Sequence, residues 1–288
     1  MTAPVVLDHL ADLSRDYDVL LSDVWGVIHN GREAFPVACA ALARWRAEVG
    51  PVVLISNAAR PAAEVVRQLD ALGVPREAWS AFVTSGDATR PLLAARAPGP
   101  VWTVGWEGDS PLYEGLGLAY AGADEATFIS VTGPNNDEVE TPEEYREAFT
   151  LAAQRGLPMI CVNPDIVVQR GERLIYCGGA LAQLYEELGG RAFMAGKPHA
   201  PIYDLALAEG ERALGRPLDR ARVLCVGDGV VTDVRGANAQ GLDALFIAAG
   251  IHGAEAIGPD GRAIPQAVER LLAAEGAHAR YAMADLVW

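Results

Sequence analysis

Cysteine is scarce in this chain. There are four in 288 residues, Cys39, Cys161, Cys177 and Cys225, far apart, with no CxxC pair and no histidine close by in sequence. That spacing supplies neither a disulfide framework nor a zinc site, and it predicts reduced, partly buried thiols in a cytoplasmic protein. The N-terminal stretch MTAPVVLDHLADLSRDYD lacks a basic start and a long apolar run, so it does not read as a signal peptide. No uninterrupted apolar stretch is long enough to span a bilayer. Positive charge is in deficit: 23 Lys and Arg stand against 38 Asp and Glu, a formal net charge of −15. Nothing then offsets phosphate repulsion, which argues against nucleic acid and against an anionic membrane surface as partners. An anionic small ligand would need a local positive patch, and a bound divalent cation supplies one. Short-period repeats and low-complexity tracts are also absent.

What is present is core-forming material. Hydrophobic residues make up 51% and charged residues 21% of the chain, enough for one large α/β domain or two smaller ones. Buried strands are expected at 18–23, 52–57, 101–104, 127–132, 159–162, 222–226 and 244–248. Helices are expected at 38–48, 61–72, 142–155, 180–188, 200–214 and 265–274, with Pro at several starts and Gly past several ends. Thr141 with two acids behind it makes a good helix entry. Strands alternating with helices predict a mostly parallel sheet covered on both faces. In such sheets ligands bind at the carboxyl ends of strands. Three strands here run out into Asp23, Ser56-Asn57 and Asp228. Ser85-Gly86 and Gly189-Gly190 read as hinges around an inserted middle domain.

Four pieces carry the chemistry together: Asp23-Val24-Trp25-Gly26-Val27, Ile55-Ser56-Asn57, Gly196-Lys197-Pro198 and Gly227-Asp228-Gly229-Val230-Val231-Thr232-Asp233. Taken singly, each has an ordinary reading as a helix cap, a solvated lysine or an Asx turn. In this order they compose a phosphoryl-transfer site. A carboxylate at Asp23 acts as nucleophile toward phosphorus. Asp23 and Asp228 repel one another unless a cation lies between them. Oxygen-only ligands point to Mg²⁺. Lys197 and the Ser56 hydroxyl hold the phosphate oxygens.

These segments resemble the haloacid dehalogenase superfamily, motif by motif and in order, and within it the class II, NagD-like or nitrophenylphosphatase-like branch. The resembling segments are DVWGVIHNG, LISNAARP, CVNPDIVV, GKPHAPIYDLAL and GDGVVTDVRGANAQGLDALFI, and the resemblance runs from about residue 18 to 250. It implies a Rossmann-like parallel-sheet core (1–85 and 191–288) with an inserted α/β cap of the C2 type (86–190). It implies a Mg²⁺-dependent hydrolase for a small phosphorylated metabolite, working through an aspartyl-phosphate, and a homodimer fits the branch. Asp23 becomes nucleophile and metal ligand. The backbone carbonyl of Trp25, Asp228 and, through water, Asp233 become further ligands. Ser56 and Lys197 bind phosphate, with Asn57 close by as a substrate-binding residue, and Asn163 and Asp165 face the substrate from the cap.

One position departs from the pattern. Phosphatases of this family carry a second Asp two residues after the nucleophile, as general acid, and here that residue is Trp25. Indole exchanges no proton at neutral pH, and losing such catalysis costs ~10²–10⁴-fold. Weak or atypical phosphatase activity follows, or a metal- and ligand-binding regulatory protein with little turnover. His29 is the obvious substitute acid, against a reading as a loop histidine; Glu33 and Asp165 are the others. Gly229 also replaces what is commonly a larger polar residue. Trp79, Trp102 and Trp106 read as core aromatics rather than a stacking wall. Residues 105–109 read as a turn, and Asn136 to Glu140 as a solvated acidic loop. Gly178-Gly179 fits either an anion cradle or a tight turn.

Overall fold

The computed structural model describes residues 3–170 and 173–288. Thirteen strands run in chain order among the described residues. The first four are β1 (Val5–Val6), β2 (Val19–Ser22), β3 (Val52–Ser56) and β4 (Ala81–Thr84). Next come β5 (Val101–Val104), β6 (Phe128–Val131), β7 (Pro158–Cys161), β8 (Val167–Arg170), β9 (Arg173–Tyr176) and β10 (Arg191–Met194). The last are β11 (Val223–Gly227), β12 (Asp243–Ile247) and β13 (Tyr281–Met283). The helices that matter below are α1 (Pro36–Glu48), α2 (Ala62–Ala71), α3 (Ser85–Ala94), α4 (Arg146–Gln154), α5 (Gly178–Glu187) and α6 (Ala200–Leu214). No helix is long and apolar enough to cross a membrane among the described residues.

The chain divides into two compact units. The first holds the described residues up to Ser56, with Val66–Val83 and Lys197–Trp288; the second holds Asn57–Val65 and Thr84–Gly196. In the first, a seven-stranded sheet has the order β1-β13-β12-β11-β2-β3-β4. β2 pairs in parallel with both β11 and β3, and β12 with both β11 and β13. β2, β3 and β11 are buried along their whole length, as expected of central parallel strands covered on both faces. α1 begins with Pro36 at its first position, where a missing N–H costs nothing. It lays Leu42 and Trp45, both fully buried, onto a core with Leu20, Leu54, Leu224 and Leu245. Each such side chain contributes about 1.5–3 kcal/mol of transfer free energy. α6 lies against β2 and β3, and Gly215, in the left-handed region, ends it.

In the second unit a four-stranded parallel sheet has the order β10-β7-β6-β5. Its strands alternate strictly. Ile129, Val131, Met159 and Cys161 pack with Phe149, Leu181 and Tyr185 of α4 and α5 on one face. Phe128, Ile160 and Val162 pack with Leu93 of α3 and Leu112 on the other. The period of two presents successive side chains to opposite faces. β8 and β9 form a separate antiparallel hairpin.

Several sequence expectations change here. Residues 142–155 are not one helix: a 3₁₀ turn, Pro142–Tyr145, precedes α4. Ser85-Gly86 forms the first turn of α3, entered through a reciprocal cap between Thr84 and Asp87. Trp106 is not a core aromatic. It is 54% exposed, lies on Gly108 and has the Arg60 guanidinium 5.7 Å over its ring. Trp102 packs edge-on against Phe149, and Trp79 against Phe82. The acidic loop around Asp137 is tied down: Arg170 grips the Asp137 carboxylate at 2.7 Å, and Arg173 donates to the Glu138 carbonyl. Gly178-Gly179 serves close packing, since a Cβ on Gly179 would stand 2.1 Å from the Pro164 carbonyl. All four cysteines are free and buried.

Candidate active site

β11, β2 and β3 are neighbours in the first sheet. Their carboxyl ends deliver Asp228, Asp23 and Ser56 side by side, because Ser22 registers with Val226 on one side and Leu54 on the other. The Asp23 amide still donates to the Val226 carbonyl at 2.8 Å, so sheet geometry holds the residue. The turn that follows needs Gly26. Its φ is +84°, and a Cβ there would meet Asp228 Oδ2 at 2.1 Å. The Ile251 amide donates to the same Oδ2 at 2.8 Å.

Beyond Gly227 the chain makes a single π-turn, Val230–Val234, in which the Asp233 and Val234 amides both donate to the Gly229 carbonyl. Such turns recur at functional sites. This one folds Asp233 back, so that a Cβ on Gly227 would be 2.3 Å from its carboxyl carbon. Gly229 opens no space either: Thr232 Oγ1 lies 2.2 Å from where its Cβ would be. The Tyr203 hydroxyl, from α6, donates to the Asp233 carbonyl at 3.3 Å and helps hold the turn.

Lys197 completes the group. Its Nζ donates to Asp23 Oδ1 and to Asp233 Oδ1, both at 2.6 Å. Lys197 is 3% exposed, Asp233 5%, and Asp23 and Asp228 7% each. The three carboxylates offer oxygens within 4.8 Å of one another. Three buried acids therefore share one ammonium, an arrangement burial penalises unless more positive charge arrives. The proton affinities record this. Burial, then the Asp233 charge, pushes the Asp23 carboxyl well above its ordinary value, with Lys197 opposing. Burial, then Asp233, pushes Asp228 up to about 7, with the Ile251 amide and Lys197 opposing. A hard divalent cation fits this all-oxygen, negatively charged donor set.

Ser56 is 8% exposed at the end of β3. Asn57, Asn163 and Asp165 belong to the second unit, where Asn57 Nδ2 donates to Asp165 Oδ1 at 2.8 Å. The Asn163 side chain accepts from the Asp165 amide at 3.0 Å. Trp25 is half-buried, with its six-membered ring against Gly31, where a Cβ would be 2.3 Å away. His29 stands edge-on to that indole, ring centres 5.2 Å apart. It is 2% exposed, its Nδ1 accepts from the Gly31 amide at 3.0 Å, and burial pushes it down to about 4. A neutral histidine engaged within its own loop is a support for Trp25, not a ready acid. Glu33 is exposed.

Tyr203 was not anticipated from the sequence, and a further sign of the already expected Lys197 went unread. Tyr203 carries no signal of its own, since a tyrosine on a helix reads as core. Lys197 did carry one: it is the only lysine in the chain. In a protein whose other basic side chains are all arginine, that singularity marks a position where a compact ammonium is required.

A family model described as haloacid dehalogenase-like hydrolase matches residues 20–119, and a second, HAD-hydrolase-like, matches 194–274. The crystal structure of a haloacid dehalogenase-like family hydrolase from Brucella suis 1330 is 43% identical, with TM-score 0.87, covering 98% of this chain and 100% of that one. D-glycerol 3-phosphate phosphatase of Mycobacterium tuberculosis is 29% identical over 253 residues, 85% of this chain and 67% of that protein. A crystal structure of glycerol phosphate phosphatase from Mycobacterium tuberculosis in complex with magnesium is 27% identical, with TM-score 0.63, covering 83% of this chain and 70% of that one.

Proposed function

This chain belongs to the haloacid dehalogenase-like family of hydrolases, and we propose that it is a Mg²⁺-dependent phosphatase for a small phosphorylated metabolite, with Asp23 as nucleophile. The observation that supports this most is the buried group of Asp23, Asp228, Asp233 and Lys197, where two 2.6 Å bonds to one ammonium leave negative charge in excess. Relatives named as phosphatases of glycerol phosphate, one crystallised with magnesium, point the same way. The second unit is assigned as the cap, the part in which substrate choice resides.

In the proposed reaction an Asp23 carboxylate oxygen attacks phosphorus. The new O–P bond forms as the ester P–O bond breaks, and the alkoxide leaves with the bonding pair. Water then attacks phosphorus of the aspartyl-phosphate, releasing inorganic phosphate and restoring the carboxylate. Lys197 holds Asp23 in place and, with the Ser56 hydroxyl, binds the phosphate oxygens. Asp23, Asp228 and Asp233 would hold the cation, which when bound neutralises phosphate charge. Because Trp25 offers no proton, the departing alkoxide must be stable by itself or take its proton from water. Aryl and acyl phosphates are therefore better substrates than alkyl phosphates.

The decisive measurement is phosphate release from a panel of phosphate esters with Mg²⁺ and with chelator. Release that needs Mg²⁺ and disappears in Asp23→Asn is the expected result. No release from any ester, with ordinary binding of Mg²⁺ and inorganic phosphate, would instead support a ligand-binding protein with little turnover, the reading that Trp25 and the neutral His29 favour.

A further inference from the structure

Asn57 and Asp165, both assigned by family resemblance to substrate contact, are engaged with each other. The Asn57 side chain is 3% exposed and donates to Asp165 Oδ1 at 2.8 Å. Asp165 is itself held at three atoms. Its amide donates to Asn163 Oδ1 at 3.0 Å, its carbonyl accepts from the Gly179 amide at 3.0 Å, and its carboxylate faces Asn57. The close approach of α5 through Gly179 keeps this loop from shifting, because any side chain there would strike the Pro164 and Asp165 carbonyls.

The other end of the Asn57 amide matters equally. A Cβ on Gly196 would stand 2.6 Å from Asn57 Oδ1 and 2.3 Å from Ser85 Oγ. Ser85 Oγ in turn donates to the Val162 carbonyl, at the start of the loop that carries Asp165. Asn57 thus bridges two backbone corners. It follows Ser56 directly in the chain, and the glycine it touches directly precedes Lys197. These two neighbours are the phosphate-binding residues of the proposed reaction.

An asparagine amide can point either way round, and only its partners decide which. An ionised carboxylate only accepts, so Asp165 compels the NH₂ group to face it and the oxygen to face Gly196. We infer that Asp165 is a positioning residue: by fixing the orientation of the Asn57 amide, it sets the Ser56–Asn57 and Gly196–Lys197 corners and hence phosphate affinity. This rests on the phosphatase reading above. It assigns to Asp165 an action through Asn57 rather than a contact with substrate.

The test is a swap. N57D, D165N, D165A and N57D/D165N are compared with the wild type by KM and kcat for p-nitrophenyl phosphate with Mg²⁺, by the inhibition constant of inorganic phosphate, and by melting temperature. N57D sets two carboxylates against each other and is expected to weaken phosphate roughly tenfold or more, in KM and the inhibition constant more than in kcat. D165A is expected to do the same to a smaller extent. The double variant restores one amide and one carboxylate with the Gly196-facing oxygen retained, and is expected to recover phosphate affinity to within about threefold of wild type. Unchanged inhibition constants in N57D and D165A, or no recovery in the folded double variant, overturn the inference. So does a loss of affinity that only tracks a fall in melting temperature. Should the wild type release no phosphate, the function proposed above fails by itself. Calorimetric titration of the Mg²⁺-loaded proteins with inorganic phosphate then gives the same comparison without turnover.

Discussion

The strand ends of the two parallel sheets hold their acids in opposite ways. At the ends of β2 and β11, Asp23, Asp228 and the nearby Asp233 are buried with a single ammonium among them. At the ends of β5, β6 and β7 the polar groups are matched. Asp165 accepts from Asn57, and Asp109, though burial raises its carboxyl, accepts from Thr132 and has Arg60 alongside at 3.7 Å. The central strands of both sheets run parallel and are buried along their length. The difference is the charge balance behind them. An excess of buried negative charge costs stability unless more positive charge arrives, which the proposed cation would supply. A balanced set orders loops.

That contrast is broken or sharpened by substitution, and the largest effect belongs to the unbalanced site. Asp23→Asn is expected to lower phosphate release by roughly 10³-fold or more, the cost of removing a nucleophile. Measured with the same ester, a residual rate within tenfold of wild type would remove Asp23 from the chemistry. Next comes Trp25→Asp, which supplies the missing acid and is expected to raise turnover of alkyl phosphates by up to ~10²-fold, with little gain for aryl phosphates. A series of esters of graded leaving-group acidity reads this directly; equal gains across the series would mean that proton donation is not what Trp25 withholds.

A moderate effect is expected from pH on the metal-free protein. Burial, then the Asp233 charge, pushes Asp228 up to about 7 when folded, against an ordinary value of 3.8. Between these limits the folded state keeps a proton that the unfolded chain has lost, so stability falls as pH rises through the window. The melting-temperature difference between Mg²⁺-loaded and chelated protein should therefore widen from about pH 5 to about pH 8. A constant difference would show that these carboxylates do not take up the cation. The smallest effect is His29→Asn. A neutral side chain that accepts from Gly31 is replaced by another acceptor, and the rate is expected to stay within about threefold with an unchanged pH profile. A hundredfold loss would restore His29 as the acid.

How much of this was legible beforehand varies by element. Val52 to Ser56, Ala200–Leu214 and Pro265–Ala274 announce themselves through apolar runs, a proline start and a glycine end. β4 and α3 did not, because Ser85-Gly86 read as a hinge; the overlooked signal was Thr84 with Asp87 three residues on. β1 and β13 are two and three residues long, too short for any period to show. The hairpin of β8 and β9 has its polar positions gripped by Asp137 and Glu138, partners more than thirty residues away in sequence. Within the site, Asp23 and Asp228 were visible as acids closing buried strands, and Lys197 as a motif residue. That Lys197 bonds Asp23 and Asp233 together was not visible, nor was the engagement of Asp165 with Asn57.

Local sequence, by itself, determined the alternation of strand and helix, the acids and the lysine available, and the tryptophan where a proton donor is expected. These follow from side-chain period, end signals and residue chemistry, which act over a few positions. Tertiary structure alone decided how many negative charges share Lys197, which way the Asn57 amide faces, and that His29 is neutral. Those properties come from desolvation and from contacts between residues as much as 174 positions apart, and electrostatic energy in a buried site depends on distance through space, not along the chain.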